Sequence, residues 1–488
     1  MKSKIKDPSS ELREQRIHAL LAELGLSSLR DATDLESIFQ HYQCTLQDRD
    51  REIESLRSRV LELEQELSRF SRPSKNSTNS SIPPSKNPLG IRHTSSLREP
   101  SSLKSGGQPG HKGVTLEMAH QADNTVAHLP EVCPGCGRTL SAENLSVSEI
   151  RQVWDLPVPI EPLITNHVCF KQTCSCGCCC KGEFPSEVNG PVSYGANVQA
   201  AVGYLSTMQH LPFKRLTEAM DFFFGIKMSQ GSVQNILQRM RRKSWKGYQL
   251  IRRQIENSPV VGADETGISV NAKRRWIWVF QSSAASYILQ DPSRGKGVID
   301  KHFPKGLENS VLVTDRLLSY FSMNVSDHQV CLADLLRELK YLAELDPDED
   351  WAVRMLQLLR ESISLKKKED TQPDEWEVLQ KAMNALLQED IKSEKPEYIS
   401  FQKGVSKHKD YLFTFLKHKD VPFDNNASER AIRPVKIKMK VSGGFRTEEG
   451  ADSFCQLHSI VQTARKNGQD PFLALKTVAE MKDERGPE

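Results

Sequence analysis

No apolar run of roughly eighteen residues occurs along the chain, so no transmembrane helix is expected. The opening residues MKSKIKDPSSEL lack the apolar core of an export signal, so no secretory signal is expected and the cytoplasm is the anticipated location. Net charge is almost missing, at +3, so any affinity for a polyanion must come from local basic patches. Apolar residues are modest in supply, at 38% with a mean hydropathy of −0.51, which fits a chain with sizeable polar segments beside its core. What is present is length and cysteine. The 488 residues suffice for roughly three domains. Seven of the eleven cysteines crowd into "CPGC" and "CSCGCCC", a pattern that without an export signal favours metal ligation in a reducing compartment over disulfides.

Residues from about 10 to 70 read as helix. Leu46, Ile53, Val60 and Leu67 recur every seventh position, and Leu56 and Leu63 interleave, with Arg49 the exception. That seam predicts a short coiled coil and a homo-oligomer; the competing reading is an amphipathic helix packed on its own protein. The stretch from Arg72 to Val114 is rich in Ser, Pro, Asn and Gly, with seven Lys/Arg against Glu99 as its one acid. It predicts a disordered basic linker, either a plain solvated tether or an arm that tracks phosphates.

Cys133 and Cys136 have the C-x2-C spacing of half a tetrahedral zinc site. The strand-like stretches "EIRQVWDL" and "PLITNHVCF" follow. The second half comes from the later cluster, as Cys174 with Cys176 or as Cys176 with Cys179, with His128 and Cys169 in reserve. The reading is a zinc-ribbon-like module; the bland alternative is a loop of free thiols. Beyond Tyr194 the pattern turns helical. Gly225 breaks one helix, Ser229 is placed to cap the next, and that second helix ends in Arg239, Arg241, Arg242, Lys243 and Lys246. This is helix-turn-helix grammar with Arg241, Arg242 and Lys243 as candidate DNA contacts; an ordinary helical bundle with a basic end is the alternative.

After Ser258 the period changes. "PVVGADETGISV", "RRWIWVFQSS" and "SYILQD" read as strands, "SRGKGVIDKHF" as a helix and "SVLVTDRL" as a fourth strand. This β-β-β-α-β order is that of a ribonuclease-H-like core, in which the first and fourth strands are neighbours, so Asp264 and Asp315 are expected to converge. A helical stretch from about Leu317 to Lys419 follows, and then Glu429 on a helix beginning near Asn425. Three carboxylates on adjacent elements can hold two Mg2+ or Mn2+ ions for phosphodiester chemistry. Arg430, Arg433, Lys436, Lys438, Lys440 and Arg446, just beyond Glu429, would then hold the DNA backbone. A chain with 63 acids also offers such triplets by chance, and Glu265 and Asp424 are the nearest rivals in register.

"VGADETGISVNAKRRWIWVFQ", "PSRGKGVI", "HQVCLADLLRELKY", "DNNASERAIRPVKIKMKVSGGFRTEEGADSF" and "TARKNGQDPF" together resemble the transposases (TnpC) of IS-sixty-six-type bacterial insertion sequences. "GGQPGHKG", "CPGCG", "EIRQVWDLP", "PVSYGANVQA" and "MSQGSV" extend the resemblance over almost the whole chain. It implies a DDE transposase that binds terminal inverted repeats and then cleaves and joins strands with divalent metal, and small accessory proteins from the same element as partners. Carried over, the three acids are Asp264 of "DET", Asp315 of "VTDRL" and Glu429 of "DNN-x-x-ER". One position departs: where the family reads "CLAH", this chain reads "CLAD", with Asp334 in place of His and His328 nearby. The organisation expected is multidomain α+β. It comprises a coiled coil over 1–71, a basic linker over 72–115, a zinc-ribbon-like module over 116–190 and a helical DNA-binding region over 191–255. A ribonuclease-H-like catalytic core follows over 256–440, with a helical insertion at about 317–419, and then a C-terminal helical segment over 441–488.

Overall fold

The computed structural model describes residues 35–80, 118–129, 131–140, 146–154, 160–173, 175–176, 179–181, 183–185, 190–367 and 373–482, with a few isolated positions besides. The chain divides into two compact units, Met1–Ser74 and Lys75–Glu488. In the first, α1 (Leu35–Ser71) is a single helix of 37 residues containing neither Gly nor Pro. Its polar flanks carry the pairs Arg51–Asp48 at 3.1 Å and Arg59–Glu62 at 2.8 Å. Exposed pairs of this kind contribute only tenths of a kcal/mol each. Leu46, Ile53, Leu56, Val60 and Leu63 of the seam are all exposed in the single chain.

In the second unit, Lys75 lies 4.7 Å over the Tyr341 ring, and the Asn79 amide donates to Glu344 at 2.7 Å. The first residues of the expected linker are therefore folded onto a helix, while most of the remainder lies outside the described residues. Among the described residues neither 149–154, the described part of "EIRQVWDL", nor "PLITNHVCF" forms a strand. Their apolar side chains find no partner strand, and Val153, Leu163 and Ile164 stand exposed. A small hairpin of β1 (Lys171–Thr173) and β2 (Cys179–Lys181) follows.

Four helices come next: α2 (Ala196–Thr207), α3 (Phe213–Phe224), α4 (Gln230–Lys243) and α5 (Trp245–Glu256). Gly225 ends α3 with φ of 61°, a left-handed turn that glycine takes without a Cβ penalty. The Ser229 hydroxyl caps α4 by accepting from the Ser232 amide at 3.0 Å.

The centre of the unit is a five-stranded sheet of β3 (Val260–Val270), β4 (Lys273–Gln281), β5 (Ser286–Asp291), β6 (Leu307–Thr314) and β7 (Val325–Val330), in the order β5-β4-β3-β6-β7. Helix α6 (Lys296–His302) joins β5 to β6. The first three strands are antiparallel, whereas β3–β6 and β6–β7 are parallel. The order β-β-β-α-β matches the sequence reading, but the stretch beyond Leu317 is not wholly helical. "VSDHQV" adds the edge strand β7, whose inner half is buried against its neighbours.

Both faces of the sheet are covered, which explains why "WIWVF" in β4 reads as an unbroken apolar run. Val261, Ala263, Trp278 and Phe280 pack with α5 and α6. On the opposite face Ile268, Val270, Ile277 and Val279 pack under α12 (Asn426–Ser442) and α13 (Glu448–Lys466). The helices α7 (Leu332–Leu345), α8 (Trp351–Lys366), α9 (Pro373–Gln388), α10 (Pro396–Ser406) and α11 (Thr414–Lys417) build a further core on β6 and β7. Helix α14 (Pro471–Glu480) returns to pack with α2 and α4. Among the described residues no helix is long and apolar enough to cross a membrane.

Buried imidazoles predict acid lability. His458 is 0% exposed and stacked on Phe454, and burial, with His210 nearby, pushes its pKa down to about 3. Burial likewise lowers His210 and His328 to about 4. In the unfolded chain each titrates near 6.5, so the unfolded state binds more protons below that pH. Stability is thus fully present above about pH 6.5 and is lost as pH falls towards 4. At pH 5 the loss is on the order of 2 kcal/mol for a fully buried imidazole. Urea melts at pH 7.5 and pH 5 check this: His458→Gln should flatten the difference, and an unchanged pH dependence contradicts it.

Candidate active site

Asp264 and Asp315 are brought together by strand register. The last β3–β6 pair is Gly262 with Val313; Asp264 lies two residues beyond it within β3, and Asp315 two residues beyond it, just past the end of β6. Side chains alternate along a strand, so Asp264 shares the face of Gly262, beneath α12. Glu265 points to the other face, where Arg294 donates to it at 2.6 and 2.9 Å and the Tyr320 hydroxyl also bonds it. The ambiguity between Asp264 and Glu265 therefore separates by face, with Glu265 already satisfied. Asp264 accepts from the Glu265 amide at 2.8 Å, and Asp315 from the Leu317 amide at 2.9 Å.

The electrostatics are those of crowded anions. Burial, then Glu265 and Asp315, push the Asp264 pKa up to about 8, against a partial offset from Lys436. Burial and Glu265, with a further push from Asp334, raise Asp315 to about 6. Ionising both carboxylates without a cation is thus unfavourable, and that donor set suits a divalent ion.

Glu429 arrives on the first turn of α12. The helix start is seated by Asn425, whose amide donates to the Ala263 carbonyl at 2.7 Å, one residue from Asp264. Asp424, the other rival in register, accepts from the Asn426 backbone and side chain and so serves the helix start. The Glu429 carboxylate lies 3.6 Å from Arg337 on α7, and Arg337 also pairs with Asp334. Asp264 is therefore within electrostatic reach of Asp315, while Glu429 is engaged by Arg337. Among the described residues no group of three His, Cys, Asp or Glu is close enough to hold a metal ion. The two aspartates are the donor type that a divalent cation takes. Arg337 and Asn425 had no assigned role in the sequence reading, although both sit inside quoted motifs. The one local signal was the three-residue spacing of Asp334 and Arg337 on a helix.

The basic residues divide by face. Arg430, Arg433, Lys436 and Lys440 of α12 are exposed, whereas Lys438 is buried. Arg446 is exposed in the turn after α12. On α4, Arg241 pairs with Asp452 at 3.3 Å, and Lys243 donates to the Ala479 carbonyl at 2.5 Å. Arg242 lies in the same last turn.

Cys133 and Cys136 lie in a tight backbone turn. The Gly137 amide donates to the Cys133 carbonyl and the Cys133 amide to the Arg138 carbonyl, both at 2.9 Å. The Gly135 and Cys136 amides hold the Cys133 thiol below its usual pKa, a bias towards the ligating thiolate. Cys176 is exposed in the β1–β2 turn. Cys174 lies outside the described residues, and Cys179 is described only as backbone of β2, so the second half of the expected zinc site is not assembled here from described side chains.

No curated protein matches the chain. Residues 191–453, more than half the sequence and including all three acids, match the family model described as the Transposase IS66 family, and the chain belongs to that family.

Proposed function

We propose that this protein cuts and joins DNA strands at a DDE centre formed by Asp264, Asp315 and Glu429 in a ribonuclease-H-like core. The observation that carries the proposal is the parallel β3–β6 register, which supports two half-buried carboxylates within electrostatic reach of each other. Two divalent ions, Mg2+ or Mn2+, would supply activation of the attacking hydroxyl and stabilisation of the leaving oxygen when bound. Asp264 and Asp315 hold the first position from rigid strands. Glu429 completes the set when it leaves Arg337, which retains Asp334 as its partner. The exposed face of α12, with Arg430, Arg433, Lys436 and Lys440, holds the DNA backbone by charge-assisted contacts. Arg241 and Lys243 are engaged within the helical bundle, so on this reading they orient helices more than they touch DNA, and Arg242 contributes from the same turn.

Two further parts complete the proposal. The exposed seam of α1 pairs subunits, and with them two element ends. The Cys133–Cys136 knuckle binds a structural Zn2+ together with Cys174 and Cys176, or with Cys176 and Cys179. Accessory proteins of the same element are the remaining proposed partners.

The test uses labelled duplexes taken from the DNA flanking the coding sequence, incubated with Mg2+ or Mn2+. Wild type should yield cut and joined strands, and Glu429→Gln should yield neither while still binding the duplex. The pairing of Glu429 with Arg337, and Asp334 where the family has His, favour one competing reading, a DNA-binding protein that does not cut. Tight binding with no product under either metal would establish that reading instead.

A further inference from the structure

A cleft of about 310 Å3 opens between the start of α4 and the turn from α12 to α13. Its lining includes no Asp or Glu, but it does include Lys214, Lys438 and Arg446. Lys214 and Arg446 are exposed at its rim, while Lys438 is only 6% exposed. Among the described residues the Lys438 ammonium has no hydrogen-bond or ion-pair partner, and burial alone pushes its pKa down to about 8. A buried cation without a counter-charge is unfavourable in the free protein and is relieved by an anion entering the cleft.

The rest of the lining indicates what else that anion carries. Phe213, Phe445 and Phe454 contribute rings to the walls. Gln230, Gln234 and Gln238 also line it, spaced four residues apart and so on one side of α4. Flat apolar rings suit a base face, and carboxamides match the donor and acceptor pattern of a base edge. Phosphate, heteroaromatic ring and hydrogen-bonding edge occur together in a nucleotide.

We propose that this cleft holds one nucleotide of the bound DNA, lifted out of its stack, with its phosphate at Lys438, its base against the Phe213 and Phe445 rings and its edge towards the glutamine row. This rests on the DNA reading above and adds a position at which the protein inspects a base. The cost of unstacking is met by stacking on the rings and by the counter-charge that Lys438 gains.

The experiment places 2-aminopurine at successive positions of duplexes from the flanking DNA. Binding by the full chain is followed separately through the anisotropy of a distant dye. Wild type should brighten the probe at one position. Lys438→Met should remove that signal and weaken binding on the order of tenfold. Gln234→Ala, at an exposed position, should reduce the signal with no change in melting temperature. A bound duplex that brightens nowhere, or brightens equally with both variants, overturns the cleft proposal and leaves the DNA reading standing. Failure of wild type to bind any duplex overturns the DNA reading and its occupant of the cleft together.

Discussion

Asp264→Asn should abolish strand cleavage and, in chelator at pH 8, should melt at a higher temperature than wild type. The two effects have one cause. Asp264 is a carboxyl held by its fold where its anion is unfavourable, with burial, Glu265 and Asp315 all acting against the charge. Its folded pKa, about 8, lies above the ordinary carboxyl value. The folded state therefore keeps a proton that the unfolded chain releases. That contribution is fully present below about pH 4 and is lost as pH rises towards 8. Asparagine has the same shape and no charge, so its stability advantage should be near zero at pH 4 and grow to several kcal/mol at pH 8. The same substitution removes a carboxylate from the proposed reacting centre. Cleavage should fall by about 10³-fold or more, the scale of losing one group that stabilises transition-state charge. Paired melting curves at pH 4.5 and pH 8, with gel-resolved cleavage, check both. An Asn variant that is less stable at pH 8 would mean that Asp264 is not strained by its neighbours. One that still cuts would remove it from the centre.

The strand order was legible in the sequence because it is written locally. Each of β3, β4, β5 and β6 announced itself by apolar runs, and a first strand beside a fourth follows from that order. Gly225 and Ser229 were legible for the same reason, since a left-handed turn and a helix cap are settled within a few residues. What was not legible depends on distant partners. Asp452 reaches Arg241 from 211 positions away. The strand β7 is made from "VSDHQV", whose polar outer half reads as loop or helix until β6 is there to pair with it. Conversely "EIRQVWDL" has the composition of a strand and finds nothing to pair with. The engagement of Glu429 by Arg337 is of the same kind, because it requires α7 and α12 to meet.

The approach of α12 to the sheet sets where Glu429 stands, and Gly262 is what permits it. A Cβ at Gly262 would fall 2.7 Å from the Gln281 amide nitrogen, 3.2 Å from Asn425 Oδ1 and closer still to the Ser428 hydroxyl. Gln281 has a flexible end that can withdraw. Ser428 is fully buried on the first turn of α12 and Asn425 is tied to the Ala263 carbonyl, so neither yields without moving the helix. Gly262→Ala should therefore cost about 1–3 kcal/mol, the usual range for overpacking a closed interior, and should depress cleavage further by carrying Glu429 away from Asp264 and Asp315. The diagnostic is a double-mutant cycle. Ser428→Ala alone removes the crowding oxygen at small cost. Combined with Gly262→Ala it should restore at least about 1 kcal/mol, a coupling expected only of residues in contact. Urea melts of the four proteins measure that coupling. If the double variant is no more stable than Gly262→Ala, the glycine is not there to admit α12. If stability returns and cleavage does not, the helix has reseated at a new distance, and the position of Glu429 rather than the integrity of the core is what limits the reaction.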